Sequence, residues 1–428
     1  MGNLLDQVVE KENMEHALRT LNQNACAGID GVKVKRLIGQ FPDMYETLKC
    51  QILDGKYKPI KLLRTYIPKG NAQYRMLSIP AAVDRLIQAS IVQVLSPIYQ
   101  MDFSEFSYGF IKGRGCYPAL VHALNEINKG KTHIIKIDLK KFFDNVPHDT
   151  LMQILRKKIQ DEELLKLIYK YLVAKALIPK KGTVAVTKGV PQGGPLSPLL
   201  SNIFLNELDQ FLQDQHITFS RYADDCIILC GSEWESCCQY EKVITFIEQD
   251  LNLEINYKKS NVCDASKIEF LGYTFKKIEF GYVFDVADER ITDLKDRMLK
   301  IIEEYYEMVS NKDFVQKLME LTRGWINYYY MAGIEAKLAD VDKWFRETIT
   351  EIHKYDKEVY LAECRELRHG GMTKAQAYRT ANADRKMAGK TVIQLNIPIE
   401  KYYGWLLDAG YNPCTELLRR IRKKRKEI

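Results

Sequence analysis

The stretch Phe219-Ser220-Arg221-Tyr222-Ala223-Asp224-Asp225-Cys226-Ile227-Ile228-Leu229-Cys230 constrains the fold of this chain more than any other. Apolar and β-branched residues flank a small polar tip, the pattern of two short strands joined by a tight turn with Ala223, Asp224 and Asp225 at its apex. Two neighbouring carboxylates at such a tip repel each other. Joined by a third from elsewhere, they would hold hard divalent cations, because Mg²⁺ accepts one or two carboxylates, keeps several waters and leaves room for substrate phosphates. Alone, an Asp-Asp turn reads more readily as the solvated tip of a hairpin, so the choice depends on what else the chain supplies.

A third acid stands in His133-Ile134-Ile135-Lys136-Ile137-Asp138-Leu139-Lys140-Lys141-Phe142-Phe143-Asp144. Ile134 to Leu139 reads as a buried strand carrying one acid near its end, where a carboxylate is costly unless it is paired or bound to metal. Asp138 is therefore the natural partner of the Asp-Asp turn; read alone, it also suits the N-cap of a turn over Lys140 to Phe143. Between these segments runs Gly189-Val190-Pro191-Gln192-Gly193-Gly194-Pro195-Leu196-Ser197-Pro198-Leu199-Leu200, a glycine and proline loop entering an apolar helix from Leu199 to Leu212. Backbone must come close to something there, and Gln192 could touch a base pair or a sugar.

Earlier in the chain, Arg64 to Lys69 and Tyr74 to Pro80 read as two strands around a Gly70-Asn71 turn, each bounded by a proline. That hairpin brings Lys69 near Arg75. An ammonium beside a forked guanidinium suits a triphosphate, and equally a merely basic hairpin. Ser107-Tyr108-Gly109-Phe110-Ile111-Lys112-Gly113-Arg114-Gly115 is a glycine-rich loop that could lie along a nucleic-acid strand, although its spacing matches no nucleotide fingerprint.

Taken in order, Asp138, the Pro-Gln-Gly-Gly loop and the Tyr-Ala-Asp-Asp turn resemble the palm of a reverse transcriptase. Ala27 to Gly31, Ser107 to Phe110, Gly189 to Pro198, Arg221 to Cys226, Asn256-Tyr257-Lys258-Lys259-Ser260 and Phe270-Leu271-Gly272-Tyr273 resemble successive blocks of bacterial group II intron-encoded reverse transcriptases, also called maturases. The resemblance runs from about Asn22 to Tyr330. It implies an α+β fold, a right-hand polymerase with fingers, a palm of antiparallel sheet packed on helices, and a three-helix thumb, followed by a small helical basic domain. The implied limits are 1–285 for fingers and palm, with an N-terminal block at about 22–50, then 286–350 for the thumb and 351–428 for a basic maturase-like region that binds RNA or DNA.

The resemblance also implies an RNA-directed DNA polymerase using two Mg²⁺ ions, with Mn²⁺ able to substitute. Asp138, Asp224 and Asp225 would be the catalytic acids, and Asp138, Asp224 and the Leu139 carbonyl the metal ligands. Lys69 and Arg75 would clamp the triphosphate, Phe143 would stack under the sugar and select dNTPs, Gln192 would cover the nascent pair, and Lys259 would follow the palm sheet near the dNTP. Arg114, Gly193, Gly194 and Tyr222 would meet nucleic acid. The implied partners are an RNA template with a DNA or RNA primer, dNTPs and the parent intron RNA, whose splicing and retromobility the protein would assist. The cysteine pairs of an HNH endonuclease are not found, which suits the compact class without the nuclease. Two departures bear on splicing: Ile111 stands where the family usually has Arg, and Glu351 to Lys357 stands for a tryptophan-rich helix. An alternative therefore keeps the polymerase and removes the intron, giving a domesticated enzyme of phage defence or DNA repair. An RNA-binding factor with a dead polymerase is opposed by the intact acids.

Composition sets outer bounds. With 428 residues and 46% hydrophobic residues the chain can build two or three domains. No apolar run approaches the length of a membrane span and Met1 to Glu12 lacks a signal-peptide pattern, so a cytoplasmic protein, close to the nucleoid when acting on DNA, is expected. The ten cysteines include no Cys-x-x-Cys knuckles and are expected as reduced thiols. Net charge is +7, with Arg419 to Lys426 concentrating cations suited to a phosphate backbone or to a frayed tail. Beyond Tyr273, amphipathic helices are expected from Asp288 to Ser310 and around Leu318 to Trp325 and Leu338 to Phe345.

Overall fold

The structure is a computed structural model that describes residues 3–70, 73–305, 311–387, 399–408 and 410–426. Its contacts divide the chain into two units, Met1–Leu271 and Gly272–Ile428. Helices and mostly antiparallel sheets make it α+β.

The first unit opens with α1 (Leu4–Val9), α2 (Lys11–Thr20) and α3 (Val34–Leu53). In α3, Leu37, Phe41, Tyr45, Leu48 and Ile52 recur at three-and-four spacing and are buried. Strands β1 (Leu62–Gly70) and β2 (Gln73–Ile79) form the expected hairpin, paired from Leu63 with Ile79 to Pro68 with Tyr74. Next comes α4 (Ala82–Gln100), apolar on most sides from Leu86 to Leu95 and correspondingly central in the core. The chain continues through α5 (Cys116–Asn128), β3 (His133–Ile137), α6 (Phe142–Asn145), α7 (His148–Arg156), α8 (Glu162–Leu172), β4 (Ala176–Ile178), β5 (Gly182–Val184) and α9 (Leu196–Asp214). It ends with β6 (Phe219–Tyr222), β7 (Asp225–Cys230), α10 (Glu233–Thr245), β8 (Asn261–Asp264) and β9 (Glu269–Phe270).

One sheet has the order β2-β1-β4-β5, with β1 parallel to β4. The other, β6-β7-β3-β8, is antiparallel throughout. Its central strands are near-continuous apolar runs because helices cover the sheet, and Ile134, Ile135, Ile227 and Ile228 are fully buried.

In the second unit, β10 (Tyr273–Ile278) and β11 (Gly281–Asp285) pair as a hairpin, followed by α11 (Asp288–Tyr305), α12 (Asn311–Tyr329), α13 (Glu335–His369), α14 (Lys374–Met387), α15 (Ile399–Asp408) and α16 (Cys414–Lys426). The hairpin belongs here because the Tyr273 ring packs with Phe284, Tyr328 and Tyr329 and its hydroxyl donates to the Tyr328 carbonyl. Leu294, Met298, Leu318, Leu338, Val341 and Phe345 are buried as their spacing predicts; the Tyr305 side chain and Met308 lie outside the described residues. Helix α13 passes through position 350 without a break, and the side chains of His353 to Lys357 lie outside the described residues. The basic run Arg419 to Lys426 is helical: Leu417 and Leu418 just before it are buried and Arg422 donates to the carbonyls of Tyr330 (2.8 Å) and Ala332 (2.6 Å), while Arg419, Arg420 and Lys423 to Arg425 are exposed. No described helix is long and apolar enough to cross a membrane.

Candidate active site

Strands β3 and β7 pair in a register that sets Ile137 opposite Cys226, so the next residues along each strand, Asp138 and Asp225, leave the sheet side by side. Strands β6 and β7 close with Tyr222 opposite Asp225, leaving Ala223 and Asp224 as a two-residue turn. Asp138, distant in sequence, thus meets the adjacent Asp224 and Asp225 at one end of one sheet. Asp224 is exposed; Asp138 and Asp225 are half-buried.

Electrostatics reflects this crowding. Burial foremost, then the neighbouring charges of Asp224 and Asp138, push the Asp225 carboxyl up to about 6, against the pull of Lys136 and of the Leu271 backbone amide. Lys136 lies two residues before Asp138, hence on the same face of β3, and its ammonium donates to the Glu269 carbonyl (2.8 Å). Leu271 holds a left-handed φ of 49°, an unusual conformation for leucine.

The Asp138 carboxylate accepts a 2.7 Å hydrogen bond from Asn256 Nδ2, its amide donates to Ser260 Oγ (2.9 Å), and its carbonyl accepts from the Asn256 amide (2.9 Å). A bridge between Leu139 and Ile255, with Lys140 N–H donating to the Glu254 carbonyl (2.9 Å), continues this pairing. The alternation of a strand then turns the Leu139 carbonyl to the opposite edge, the side of β7. Among the described residues no group of three or more His, Cys, Asp or Glu side chains is by itself gathered closely enough to hold an ion. The donor set nevertheless fits Mg²⁺, which completes its shell with water and substrate phosphate, and the like-charge crowding at Asp225 is what a cation would relieve.

The turn is braced from behind. Arg221, fully buried in β6, donates from Nε to Asp209 Oδ1 (2.6 Å) and pairs through Nη2 with Asp209 Oδ2; its Nη1 donates to Asn202 Oδ1 (3.2 Å) and to the Ala223 carbonyl (2.9 Å). Asn202 in turn donates to the Gly109 carbonyl (2.7 Å). Removing one partner of such a pair would strand a buried charge. Gly109 lies so close that a Cβ would collide with the Ala223 amide and come within 3.0 Å of the Tyr222 carbonyl carbon. This close approach fixes Ala223 in its left-handed conformation, φ 55°.

The residues expected to meet substrate are spread over several elements. Phe143 is half-buried in α6 against Phe142. Its carbonyl accepts from Val190 N–H (2.6 Å), and Gly189, at φ 91°, lies where a Cβ would be 2.7 Å from the Asp144 carbonyl oxygen. Gln192, half-buried, accepts at its carbonyl from Ser78 N–H (2.7 Å), so the loop binds the α6 turn on one side and β2 on the other. Gly193 is exposed and Gly194 buried. Arg75 is exposed on β2 opposite Ile67; Lys69 lies near the end of β1 and its side chain is outside the described residues. Lys259 is exposed in the loop that carries Asn256, and Tyr222 is half-buried with its ring near that of Phe110. Arg114 is placed differently: its guanidinium donates to the carbonyls of Ser104, Ser107 (2.6 Å) and Phe103 (3.4 Å), tying the glycine-rich loop to itself.

Four neighbours carry no individual signal in the sequence strong enough to single them out. Arg221 comes nearest, as a guanidinium in an apolar strand, which demands a buried partner. Asn256 and Ser260 sit in a recognised block but carry no charge to draw notice. Arg64, opposite Ser78, lies near Asp144 and opposes the upward push that burial gives its carboxyl.

An acid pair closing one end of an antiparallel sheet suits a nucleotidyl-transfer polymerase, and the family match gives that class. Residues 67–275 match the reverse transcriptase (RNA-dependent DNA polymerase) family. Protein YkfC of Escherichia coli strain K12 is 31% identical over 322 residues, covering 65% of this chain and 84% of YkfC. The group II intron-encoded protein LtrA of Lactococcus lactis is 34% identical over 212 residues, 49% of this chain, which spans only 35% of LtrA. The retron Ec83 reverse transcriptase of Escherichia coli is 23% identical over 307 residues, 71% of this chain and 93% of that protein. The chain belongs to the reverse transcriptases, RNA-directed DNA polymerases, and is similar to group II intron-encoded members of that family.

Proposed function

We propose that the first unit holds fingers and palm and extends a DNA or RNA 3′ end by copying RNA, with Asp138, Asp224 and the Leu139 carbonyl as metal ligands and Asp225 completing the acid cluster. The observation that carries this reading is the β3–β7 register, which brings Asp138 beside Asp225. Two Mg²⁺ ions bound there would supply a lowered pKa for the primer 3′-hydroxyl and neutralise triphosphate charge. The protein's own share is positioning. Arg75 and Lys69 grip the triphosphate, Phe143 lies under the sugar and excludes a ribose 2′-hydroxyl, and Gln192, Gly193 and Gly194 cover the nascent pair. Lys259 approaches the dNTP, Tyr222 the primer end, and the glycine-rich loop that Arg114 braces the template. Helices α11, α12 and α13 act as the thumb, and the exposed cations of α16 bind RNA.

Primer extension on RNA and DNA templates, with dNTPs or rNTPs, tests the reading: RNA copying with dNTPs is expected, lost in Asp224→Ala. Indiscriminate rNTP use would remove the role given to Phe143.

Within this activity, the leading biological role is binding of the parent intron RNA, with help in splicing and reinsertion; LtrA similarity supports it. A second role, intron-free and serving phage defence or DNA repair, is favoured by the near-complete span of a retron enzyme beside the partial span of LtrA. Splicing of the flanking intron with and without the protein separates the two.

A further inference from the structure

We propose that Asn256 is the positioning residue of Asp138: it pins one carboxylate oxygen and leaves the other to a divalent cation. The inference rests on the reading of Asp138 as a metal ligand. Asn256 grips Asp138 twice, through Nδ2 to Oδ2 (2.7 Å) and through its backbone N–H to the Asp138 carbonyl (2.9 Å). Ser260 Oγ receives the Asp138 N–H (2.9 Å), so backbone and side chain are fixed by one short loop. Asn256 is itself held, because its carbonyl accepts from the amides of Lys259 and Ser260, both at 2.9 Å.

The residue type matters. A carboxylate at the end of a strand otherwise rotates freely and must be ordered each time an ion arrives. A neutral amide orders it in advance without adding charge; a lysine would compete with the cation, and an aspartate would bring another negative charge and no proton to donate. Ligand-orienting hydrogen bonds of this kind change metal affinity or activity by roughly 10–100-fold when removed.

The test uses the full chain bound to an RNA template and a dideoxy-terminated primer, with Mn²⁺ as the probe and free Mn²⁺ read by electron paramagnetic resonance. Asn256→Ala and the near-isosteric, uncharged Asn256→Leu are compared with the wild type. Both are expected to weaken Mn²⁺ binding about tenfold or more. On an extendable primer the half-saturating Mg²⁺ concentration rises in step, while KM for dNTP at saturating Mg²⁺ and template-primer affinity stay unchanged. Wild-type Mn²⁺ binding in both variants overturns the inference, as does a fall in kcat and thermal stability with unaltered metal dependence, the mark of a purely structural loop contact. Asp138→Asn separates the two levels. If it keeps wild-type Mn²⁺ binding and extension, the metal-ligand reading fails and takes the inference with it. If it abolishes both while the Asn256 variants behave as wild type, only the inference fails.

Discussion

Asp138 and the Asp224–Asp225 turn emerge from strands whose neighbours Ile134, Ile135, Ile227 and Ile228 are fully buried, whereas Arg75 rides on a hairpin whose Tyr66, Ile67 and Tyr74 are exposed. The acids must stay together against mutual repulsion, so surrounding groups hold them: half-buried Asn256 and buried Ser260 on one side, the buried Arg221–Asp209 pair and Gly109 on the other. The proposed grip on the triphosphate would meet an arriving ligand and gain nothing from a rigid core. On that reading the acids are braced from within the fold while the substrate contacts ride on an exposed hairpin, a division that makes stability and activity respond differently at the two places.

The largest effect expected is loss of primer extension by roughly a thousandfold or more in Asp224→Ala, with thermal stability kept, since several kcal/mol of charge stabilisation disappear from an exposed side chain. An Asp224 variant that still extends primers would break the comparison outright. Arg221→Met should instead lower stability by about 3–5 kcal/mol by leaving Asp209 buried and unpaired, and adding Asp209→Leu should recover much of it; chemical denaturation of the single and double variants measures this.

Asp225→Asn sharpens the electrostatic half. The folded-state carboxyl titrates near 6, above its ordinary 3.8, so its contribution to the metal-free protein is full at low pH and lost as pH rises through about 6. In EDTA the variant should therefore gain roughly 2–3 kcal/mol over the wild type at pH 8 and little at pH 4, with about half of the gain present by pH 5, and Mg²⁺ should shrink the gain. Equal melting shifts at pH 4 and pH 8 would dismiss the crowding. Arg75→Ala should raise KM for dNTP about tenfold, with stability within about 0.5 kcal/mol of the wild type. The smallest effect belongs to the second unit: when exposed Lys423 and Lys424 are neutralised, the slope of log affinity for RNA against log salt should become shallower by about one for each phosphate left without its cation.

Much of this arrangement was legible in the chain. Strand and turn patterns placed both hairpins, and a lone acid closing an apolar strand pointed to Asp138, because a buried carboxylate needs a reason. The supports were harder to read. Asn256 and Ser260 act through hydrogen bonds that depend on how a loop folds back on a strand over a hundred residues away, and uncharged side chains leave no periodic trace. Arg221 finds Asp209 on a helix, a pairing set by packing and not by spacing. Arg114 shows the converse: a cation in a glycine-rich loop suggested a nucleic-acid contact, but three nearby carbonyls needed a donor.

The union of α13 and α16 has a practical side for anyone trimming this protein to a minimal enzyme. Buried Asp342, within α13, accepts from the amides of Cys414 (2.7 Å) and Thr415 (3.0 Å) and from the Thr415 hydroxyl (2.7 Å). A stop codon at 350 would leave half a helix, and one just before Cys414 would strand a carboxylate in an apolar setting. A shortened version that folds should need either the last helix retained or Asp342 replaced by an apolar residue of similar size.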